Sequence, residues 1–600
     1  MKRLPATILH AVRRLPGTFD DEERRLVVQS VIIGVVVWAI VYPLKIGVHW
    51  LFDLTLHSLE QLGHGPQQLL VLAPLLVGAL VVAVIARTHA VMVHYRDDDG
   101  VIHELNDVEG DGLERAIALY YSSEPAFERV LQGQEGLDVR WQLPTFSLAF
   151  RKFAATLVTL GSGGSGGLEA SVTLIGESSA AGLFKPRQPI ARVNEKIGVV
   201  GRFWRWWQAD DPDDLQTAQL SGIAAAVAVL LGAPLTAAFF AIEVMYRQRP
   251  LIEKLAYTLI SALVAYSLTD LVTVGHPVIF SVEQHFVPPT SPRYYAVVVL
   301  MATAVSLVSI FFKQFRAYTD HLLHHRFTDS RQRLLVGATI TGLIAFTAAI
   351  ITFELDWWEN GLELVLGPGD SVINAALAGE FTLAVALVAL AAKMPATLAT
   401  IGSGGSAGLL VPSLFFGTMV ASAFAVLFDY EPMLLIVPGM TAALVSIVNV
   451  PLAAILFTVE LFGSVYMLPA LLTLVITSIL AHDRTIYRPQ REKAAKRQIM
   501  PGVGSRRILP PPSWWGKTLV ELDLRRRYNV NVVGLMEFQD EHGNPRVRLD
   551  TSSTVPLSDG DVLVVIGREE KLEALETAVR AERATGWQNA VDDALKTEET

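Results

Sequence analysis

Residues 161–176 read GSGGSGGLEASVTLIG: seven glycines or serines, a leucine, and one carboxylate, Glu169, at the mouth of an apolar run. The pattern returns at 402–417 as GSGGSAGLLVPSLFFG, with eight of sixteen positions identical and Leu410 in the place of Glu169. Glycine and serine ahead of a helix let backbone N–H groups converge on one point with no side chain in the way. A helix start adds roughly half a positive charge. Two such starts aimed at each other, Gly167-Leu168-Glu169-Ala170 and Gly408-Leu409-Leu410-Val411, make an anion site that needs no fixed cation. Few Lys or Arg lie within the apolar runs, so backbone dipoles are the expected source of positive potential. Glu169 then has two readings. It complements the helix dipole, as an acid in a first turn does, or it sits in the ion's position as a tethered competitor that protonation releases. A simple cap would be expected in both copies, and the second copy lacks the acid. The competitor is therefore the expectation.

The elements that must position these starts are membrane helices. Of the 600 residues 51% are hydrophobic and 18% charged, and the mean hydropathy is +0.39, which predicts a membrane protein with a smaller soluble part. Apolar runs of spanning length include Leu26–Phe52, Leu69–Ala86, Tyr294–Phe312, Leu334–Phe353, Phe381–Thr400 and Met433–Phe457. Many are interrupted by Gly or Pro, as broken transporter helices are. The first 25 residues are charged and the first apolar stretch is long, so no cleavable secretory signal is expected. Arginines at 13, 14, 24 and 25 precede the first run, and Arg484, Arg488, Arg491, Lys493, Lys496 and Arg497 follow the last. Both ends are expected in the cytoplasm. The net charge of 49 − 59 = −10 sums different compartments and decides little, whereas the absence of cysteine excludes disulfides, thiol catalysis and zinc-thiolate sites.

A second repeated block supports a duplicated transporter. GAPLTAAFFAIE (232–243) matches NVPLAAILFTVE (449–460) at five of twelve positions, including Pro234/Pro451 and Glu243/Glu460. The offset is 402 − 161 = 241 for the glycine-rich pair and 451 − 234 = 217 for this one. The first half therefore carries 241 − 217 = 24 extra residues, expected in the polar stretch Lys185–Asp214. Two halves with matched discontinuous helices predict a site between them near the bilayer midplane. The expected layout is a cytoplasmic segment 1–27, a membrane domain 28–497 in halves of about 28–250 and 251–497, a Pro-rich linker 498–517, a soluble α/β domain 518–586 and a disordered acidic tail 587–600.

These residues resemble the CLC family of chloride channels and proton-coupled chloride antiporters over about 28–497. Its G-[K/R]-E-G-P signature resembles Gly167-Leu168-Glu169-Ala170-Ser171, and its G-x-F-x-P resembles Gly408-Leu409-Leu410-Val411-Pro412, with Leu410 for the usual Phe. The resemblance implies an all-α polytopic membrane protein, an inverted repeat with broken helices, assembled as a homodimer with one anion path per subunit. It implies that Glu169 is the external gating glutamate. The amides of Leu409 and Leu410 would bind the central anion, and those of Gly167, Leu168, Glu169 and Ala170 would lie near the external site. Tyr487, in RTIYRPQ, matches the tyrosine whose hydroxyl closes the inner side; it also reads as a membrane-belt residue.

Two departures stand out. The family's G-S-G-I-P is matched only by Gly110-Asp111-Gly112-Leu113-Glu114, which puts Asp111 where a hydroxyl donor belongs. An ionised Asp beside an anion is repulsive by several kcal/mol at low dielectric. Asp111 is therefore protonated, turned away, or wrongly matched. The residue after Glu243 is Val244, where family antiporters commonly carry a second Glu as internal proton relay. Passive conduction is thus the first expectation and proton-coupled antiport the alternative, with Glu243, repeated by Glu460, read as structural.

After 518 the pattern helix, strand, strand, turn, strand, helix resembles the TrkA-C domain. LVELDLRRRYNVNVVGLME leads, and Pro556-Leu557-Ser558-Asp559-Gly560-Asp561 precedes the strand Val562–Ile566. Such domains pair, and some relatives bind small ligands such as cyclic dinucleotides, so a regulatory nucleotide is one reading and a pure dimerisation module the other. Arg525-Arg526-Arg527 would meet phosphates in the first case and water in the second. The expected function is a CLC-type channel or transporter for chloride or another small anion, in the cell membrane among lipid, gated by Glu169, with no cofactor in the membrane part and no nucleic acid partner. A cation transporter is the rival class, and against it stand the missing T-V-G-Y-G filter and the glycine-rich helix starts. A non-transporting sensor is a further one. No enzyme is expected: GSGGSGG lacks the G-K-[ST] end of a P-loop, and the 14 histidines form no H-E-x-x-H or metal-ligand cluster.

Overall fold

The structure, a computed structural model, describes residues 21–582 apart from 97–101, 123–142, 186–206, 246–251, 274–278, 281–285, 490–497, 538–545, 549–555 and several shorter stretches. It divides into a helical unit within residues 1–491 and a smaller second unit that holds the α/β segment after 491 together with 120–143 and 186–205. Among the described residues, nine helices are long and apolar enough to cross a membrane. The first half contains α1 (Asp21–Glu60), α2 (Leu72–Arg87), a hairpin of β1 (Met92–Arg96) and β2 (Ile102–Asn106), and α3 (Gly112–Tyr121). It continues with α4 (Phe146–Gly161), α5 (Glu169–Phe184), α6 (Pro212–Leu231), α7 (Pro234–Glu243) and α8 (Leu255–Thr273). The second half holds α9 (Pro292–Arg326), α10 (Ser330–Glu354), α11 (Asp370–Leu377), α12 (Leu383–Gly402), α13 (Leu410–Phe428), α14 (Pro432–Ala443), α15 (Pro451–Phe462) and α16 (Met467–Ala481).

Helix breaks occur where backbone chemistry demands them. The expected single span Met433–Phe457 is instead two short helices. A π-helical turn (Leu444–Val448) ends at Asn449, whose φ of 63° is left-handed, and Pro451 opens α15. Proline lacks the N–H that would continue the ladder but suits a first turn. α1 begins at Asp21, so the segment expected to run to 27 is already helical there; acids at 21–23 suit a helix start. Residues 1–20, the tail 587–600 and most of the inserted stretch after Lys185 lie outside the described residues.

The halves are joined by bonds that repeat with the sequence offset. The Ser165 amide donates to Thr400 Oγ1 (3.2 Å), and the Ser406 amide to Thr159 Oγ1 (3.1 Å). The hydroxyls of Thr156 and Ser406 meet at 2.9 Å, and those of Ser165 and Thr397 at 3.0 Å. Each pair maps onto the other by adding 241, as a two-fold relation between halves requires. The second block behaves alike. Glu243 accepts from the amides of Leu452 (3.0 Å) and Ala453 (2.9 Å), while Glu460 accepts from those of Leu235 (3.0 Å) and Thr236 (2.7 Å). Each carboxylate therefore caps the other half's short helix, satisfying amides that have no partner inside it.

The α/β unit is a five-stranded antiparallel sheet in the order β3 (Gln498–Met500), β4 (Val503–Ile508), β7 (Val562–Arg568), β5 (Asn531–Glu537), β6 (Arg546–Arg548). The segment 498–517, expected as a linker, thus supplies two strands, and Trp514 from it is buried in the core with Leu522, Leu563, Val565 and Leu572. The two arginines of VGSRRI hide the strand's alternation: Arg506 is buried and meets Glu576 at 3.2 Å. The expected leading helix is two short ones, α17 (Leu519–Leu522) and α18 (Leu524–Tyr528), split at Asp523 with φ 45°. Arg525, Arg526 and Arg527 are exposed.

Candidate functional site

The two glycine-rich segments meet. Gly167 and Gly408 exchange both backbone bonds, 2.8 Å in one direction and 2.6 Å in the other. Their amides, expected to face an anion, are therefore committed to each other. A Cβ on Gly408 would lie 2.7 Å from that of Ala170, so only glycine permits this approach. α5 and α13 start immediately after the bridge, at Glu169 and Leu410. The amides of Leu168, Glu169, Ala170 and Leu410 belong to first turns, where a helix offers no carbonyl of its own.

Glu169 is 3% exposed. Its Oε2 lies 2.5 Å from where a Cβ on Gly167 would stand, and it finds no hydrogen-bond partner among the described residues. The carboxylate faces its own amide and that of Val411, in the first turn of α13. The acid thus folds back over Gly167 toward the start of the other half's helix. On its far side lies a cavity of about 150 Å³ lined by Lys45, His49, Leu168, Glu169, Asp370 and Val411, among others. His49 Nε2 lies 2.9 Å from Asp370, and Lys45 Nζ donates to the carbonyls of Leu230 (3.2 Å) and Val229 (3.4 Å). Sequence reasoning missed these three. A lysine and a histidine four residues apart inside an apolar run, and an acid following Gly-Pro-Gly, were the available signals.

Asp111 does not turn away. Its Oδ1 accepts from the Leu113 amide at 2.8 Å and its Oδ2 from the Leu409 amide at 2.9 Å, and the residue is 1% exposed. The Leu409 amide, expected to bind the central anion, is therefore held by a protein carboxylate. Tyr487 is fully buried rather than in a lipid-facing belt, and its hydroxyl has no hydrogen-bond partner among the described residues. Its segment is anchored by Arg316, which donates to the Ile486 carbonyl at 2.7 Å, and by the Ile486 amide on Ile447. The hydroxyl lies in electrostatic range of Asp111, Arg316, Glu114 and Glu169.

Around Asp111 the charges are numerous and matched, and the arginines that pair them lie outside the apolar runs named from the sequence. Asp107 meets Arg151 through two bonds of 2.7 and 3.0 Å, Glu109 meets Arg333 at 2.5 Å, and Glu114 meets Arg316 at 2.9 Å. Desolvated charges persist only when paired so closely. Lys152 donates to the carbonyls of Val108 (3.0 Å) and Gly110 (2.7 Å), and Lys393 to those of Leu366 (3.1 Å) and Gly367 (2.8 Å). The two lysines differ by the same 241 positions as the glycine-rich stretches. Both are fully buried, and each holds two loop carbonyls.

Membrane-length helices broken at two facing, repeat-related starts define a multi-pass membrane protein of transporter type. Residues 119–482 match the family model described as voltage gated chloride channel, and 504–579 match the TrkA-C domain model, which begins well before the boundary expected at 518. The chain belongs to the voltage gated chloride channel family and carries a TrkA-C domain. It is similar to the voltage-gated ClC-type chloride channel ClcB of Citrobacter koseri, 25% identical over 348 residues, 56% of this chain and 74% of that one. The ClcB of Escherichia coli O81 is 25% identical over 367 residues, 58% and 77% of the two chains. In fold it resembles a slow cyanobacterial Cl−/H+ antiporter, with a TM-score of 0.56, 18% identity and coverage of 77% of this chain and 96% of that one. It also resembles a CLC-type fluoride/proton antiporter, with a TM-score of 0.53, 18% identity and coverage of 78% and 97%.

Proposed function

We propose that this chain moves chloride or a similar small anion across the cell membrane along the line where α5 and α13 begin, with the Glu169 carboxylate as its gate. The observation that carries this reading is the seating of that carboxylate over Gly167, against the first turn of α13 and next to the cavity lined by Lys45 and His49. Partial positive charge at the two helix starts attracts an anion, and a tethered acid there competes with it. Protonation removes the competitor's charge. The path lies within one subunit; pairing into a homodimer in lipid, with both termini cytoplasmic, follows the family resemblance and the arginine distribution. Leu235 and Leu452, related by the 217-residue offset, are exposed on the short helices α7 and α15 and offer an apolar surface for such pairing. The TrkA-C domain is read as a regulatory module, with a nucleotide such as a cyclic dinucleotide as candidate ligand. Efflux from liposomes loaded in turn with chloride, nitrate, fluoride and bicarbonate tests the substrate class. The reading predicts efflux of at least one of these that Glu169→Gln increases; equal leak from protein-free vesicles would sink it.

Proton-coupled exchange is the second reading, and one residue favours it. Val244 is apolar, but Glu177, two turns into the helix that Glu169 opens, is fully buried and accepts from Ser178 (2.7 Å) and Gln219 (2.6 Å). It is an acid on the same helix that could carry a proton where the usual relay is missing. Reversal potentials under a pH gradient separate the readings: a shift with pH means coupling, and its abolition by Glu177→Gln places the relay.

A further inference from the structure

The membrane unit holds a second tethered acid, and it sits on the other helix start. Four acids cluster between 107 and 114: Asp107, Glu109, Asp111 and Glu114. Three face a guanidinium from another helix, Arg151 on α4, Arg333 on α10 and Arg316 on α9. Asp111 differs in kind. Its two oxygens are held by backbone amides, Leu113 in its own half and Leu409 at the start of α13 in the other. A carboxylate on that amide occupies the place where a helix start would hold a free anion. The fully buried Tyr487 hydroxyl, within electrostatic range of Asp111, has no partner among the described residues and is an unused donor.

We propose that Asp111 is a built-in occupant of the inner anion position, so that this position takes a small free anion only when the Asp111 charge is neutralised or removed. The proposal rests on the pathway reading above and adds a second acid in series with Glu169. When a proton reaches Asp111, the carboxylate loses the charge that makes it a strong acceptor, the Leu409 amide becomes available, and an incoming anion accepts from it and from the Tyr487 hydroxyl. The groups that face Asp111 and set its charge are Arg316 from α9, Lys152 from α4, Glu114 and Arg115 from α3, and Tyr487. Arg115 is turned onto the Asp111 carbonyl at 2.8 Å, and Lys152 onto Gly110, so these two cations steady the loop while the carboxylate reaches across to α13. A serine at this place would offer a donor instead of a fixed negative charge.

The test measures chloride binding by calorimetry to the full chain in detergent at pH 7.5 and again at pH 5. Wild type, Asp111→Ser, Asp111→Asn and Glu169→Gln are compared, each first shown to be monodisperse. The expected result is chloride binding about tenfold or more tighter in both Asp111 variants than in wild type at pH 7.5. Acidification should close that gap by strengthening wild type alone. Equal affinity in wild type and both variants at both pH values overturns the proposal, since a resident carboxylate cannot leave the site indifferent to its removal. Two variants guard against a packing defect, because Asn keeps the shape and Ser supplies a hydroxyl. If chloride binds none of the proteins while Glu169→Gln still conducts it, the inner position is no anion site and the inference fails while the pathway reading stands. If no protein binds or conducts any of the four anions, the pathway reading fails with it.

Discussion

Replacing Gly167 by alanine should open the path while leaving the gating acid in the sequence. A Cβ at 167 would lie 2.5 Å from Glu169 Oε2, 3.1 Å from Pro412 Cδ and 3.3 Å from Val411 Cβ. Gly167 does not hold a left-handed φ, so the backbone itself accepts alanine. The nearest contact is with the far end of a side chain that can swing away, and the other two are tight but tolerable. Overpacking of this kind costs about 1–3 kcal/mol. Most of it falls on the state in which the carboxylate is seated, because the clash with Oε2 disappears once the acid leaves. A shift of about 1–3 kcal/mol multiplies the ratio of open to seated states roughly 5- to 150-fold, at about 1.4 kcal/mol per tenfold. The assay is chloride efflux from liposomes at neutral pH, with Gly167→Ala made alone and together with Glu169→Gln. Efflux should rise in the single variant, whereas the double one should show no gain over Glu169→Gln alone, since the uncharged Gln no longer holds the seat that the added Cβ disturbs. Reduced efflux in a well-folded Gly167→Ala protein, or the same gain with and without Glu169, would mean that the seated carboxylate does not block the path.

Other consequences follow from the same geometry. Arg316→Ala should lower stability by about 3–5 kcal/mol, as it leaves the buried Glu114 without its 2.9 Å partner; thermal unfolding in detergent reads this out, and an unchanged midpoint contradicts it. Glu243→Ala and Glu460→Ala each leave two amide donors of the opposite short helix without their carboxylate acceptor, so each should cost roughly 0.5–2 kcal/mol. If only one of them destabilises, the reciprocal capping is not energetically symmetric. Trp514→Ala should loosen the α/β unit by about 3–5 kcal/mol. Limited proteolysis of the full chain should then cut after residue 500 while the membrane unit persists; resistance equal to wild type would place Trp514 outside the core.

How far the sequence could be read depends on which physics is local. The duplicated halves were legible because composition and spacing carry them: the 241-residue offset of the glycine-rich stretches and the Pro-Leu…Glu blocks both reappear as reciprocal contacts. Glu169 stood out as one acid at the mouth of an apolar run, and the structure places it at the meeting of the two starts. The fate of individual amides was not legible. Gly167 and Gly408 look alike as open helix entrances in sequence, yet pairing between them is a long-range choice made by the meeting of the halves. The Asp111 bond to Leu409 spans 298 residues, and no local pattern announces it. Lys152 and Lys393 read as isolated charges, and their role shows only once Val108, Gly110, Leu366 and Gly367 turn their carbonyls inward. In the soluble part, proline at 510–512 suggested a connector. Strand pairing along 503–508 and the burial of Trp514 outweigh it.

If Glu169 is the group that holds the path closed, its charge must set how transport responds to pH. The most direct measurement is the pH profile of chloride efflux from liposomes for wild type and Glu169→Gln, each as oriented full-length protein. A carboxylate that competes while charged predicts wild-type efflux that climbs as the outer solution is acidified, and a Gln variant that is already fast at neutral pH and responds much less to outer pH. Parallel profiles in the two proteins, or a Gln variant slower than wild type at every pH, would contradict it.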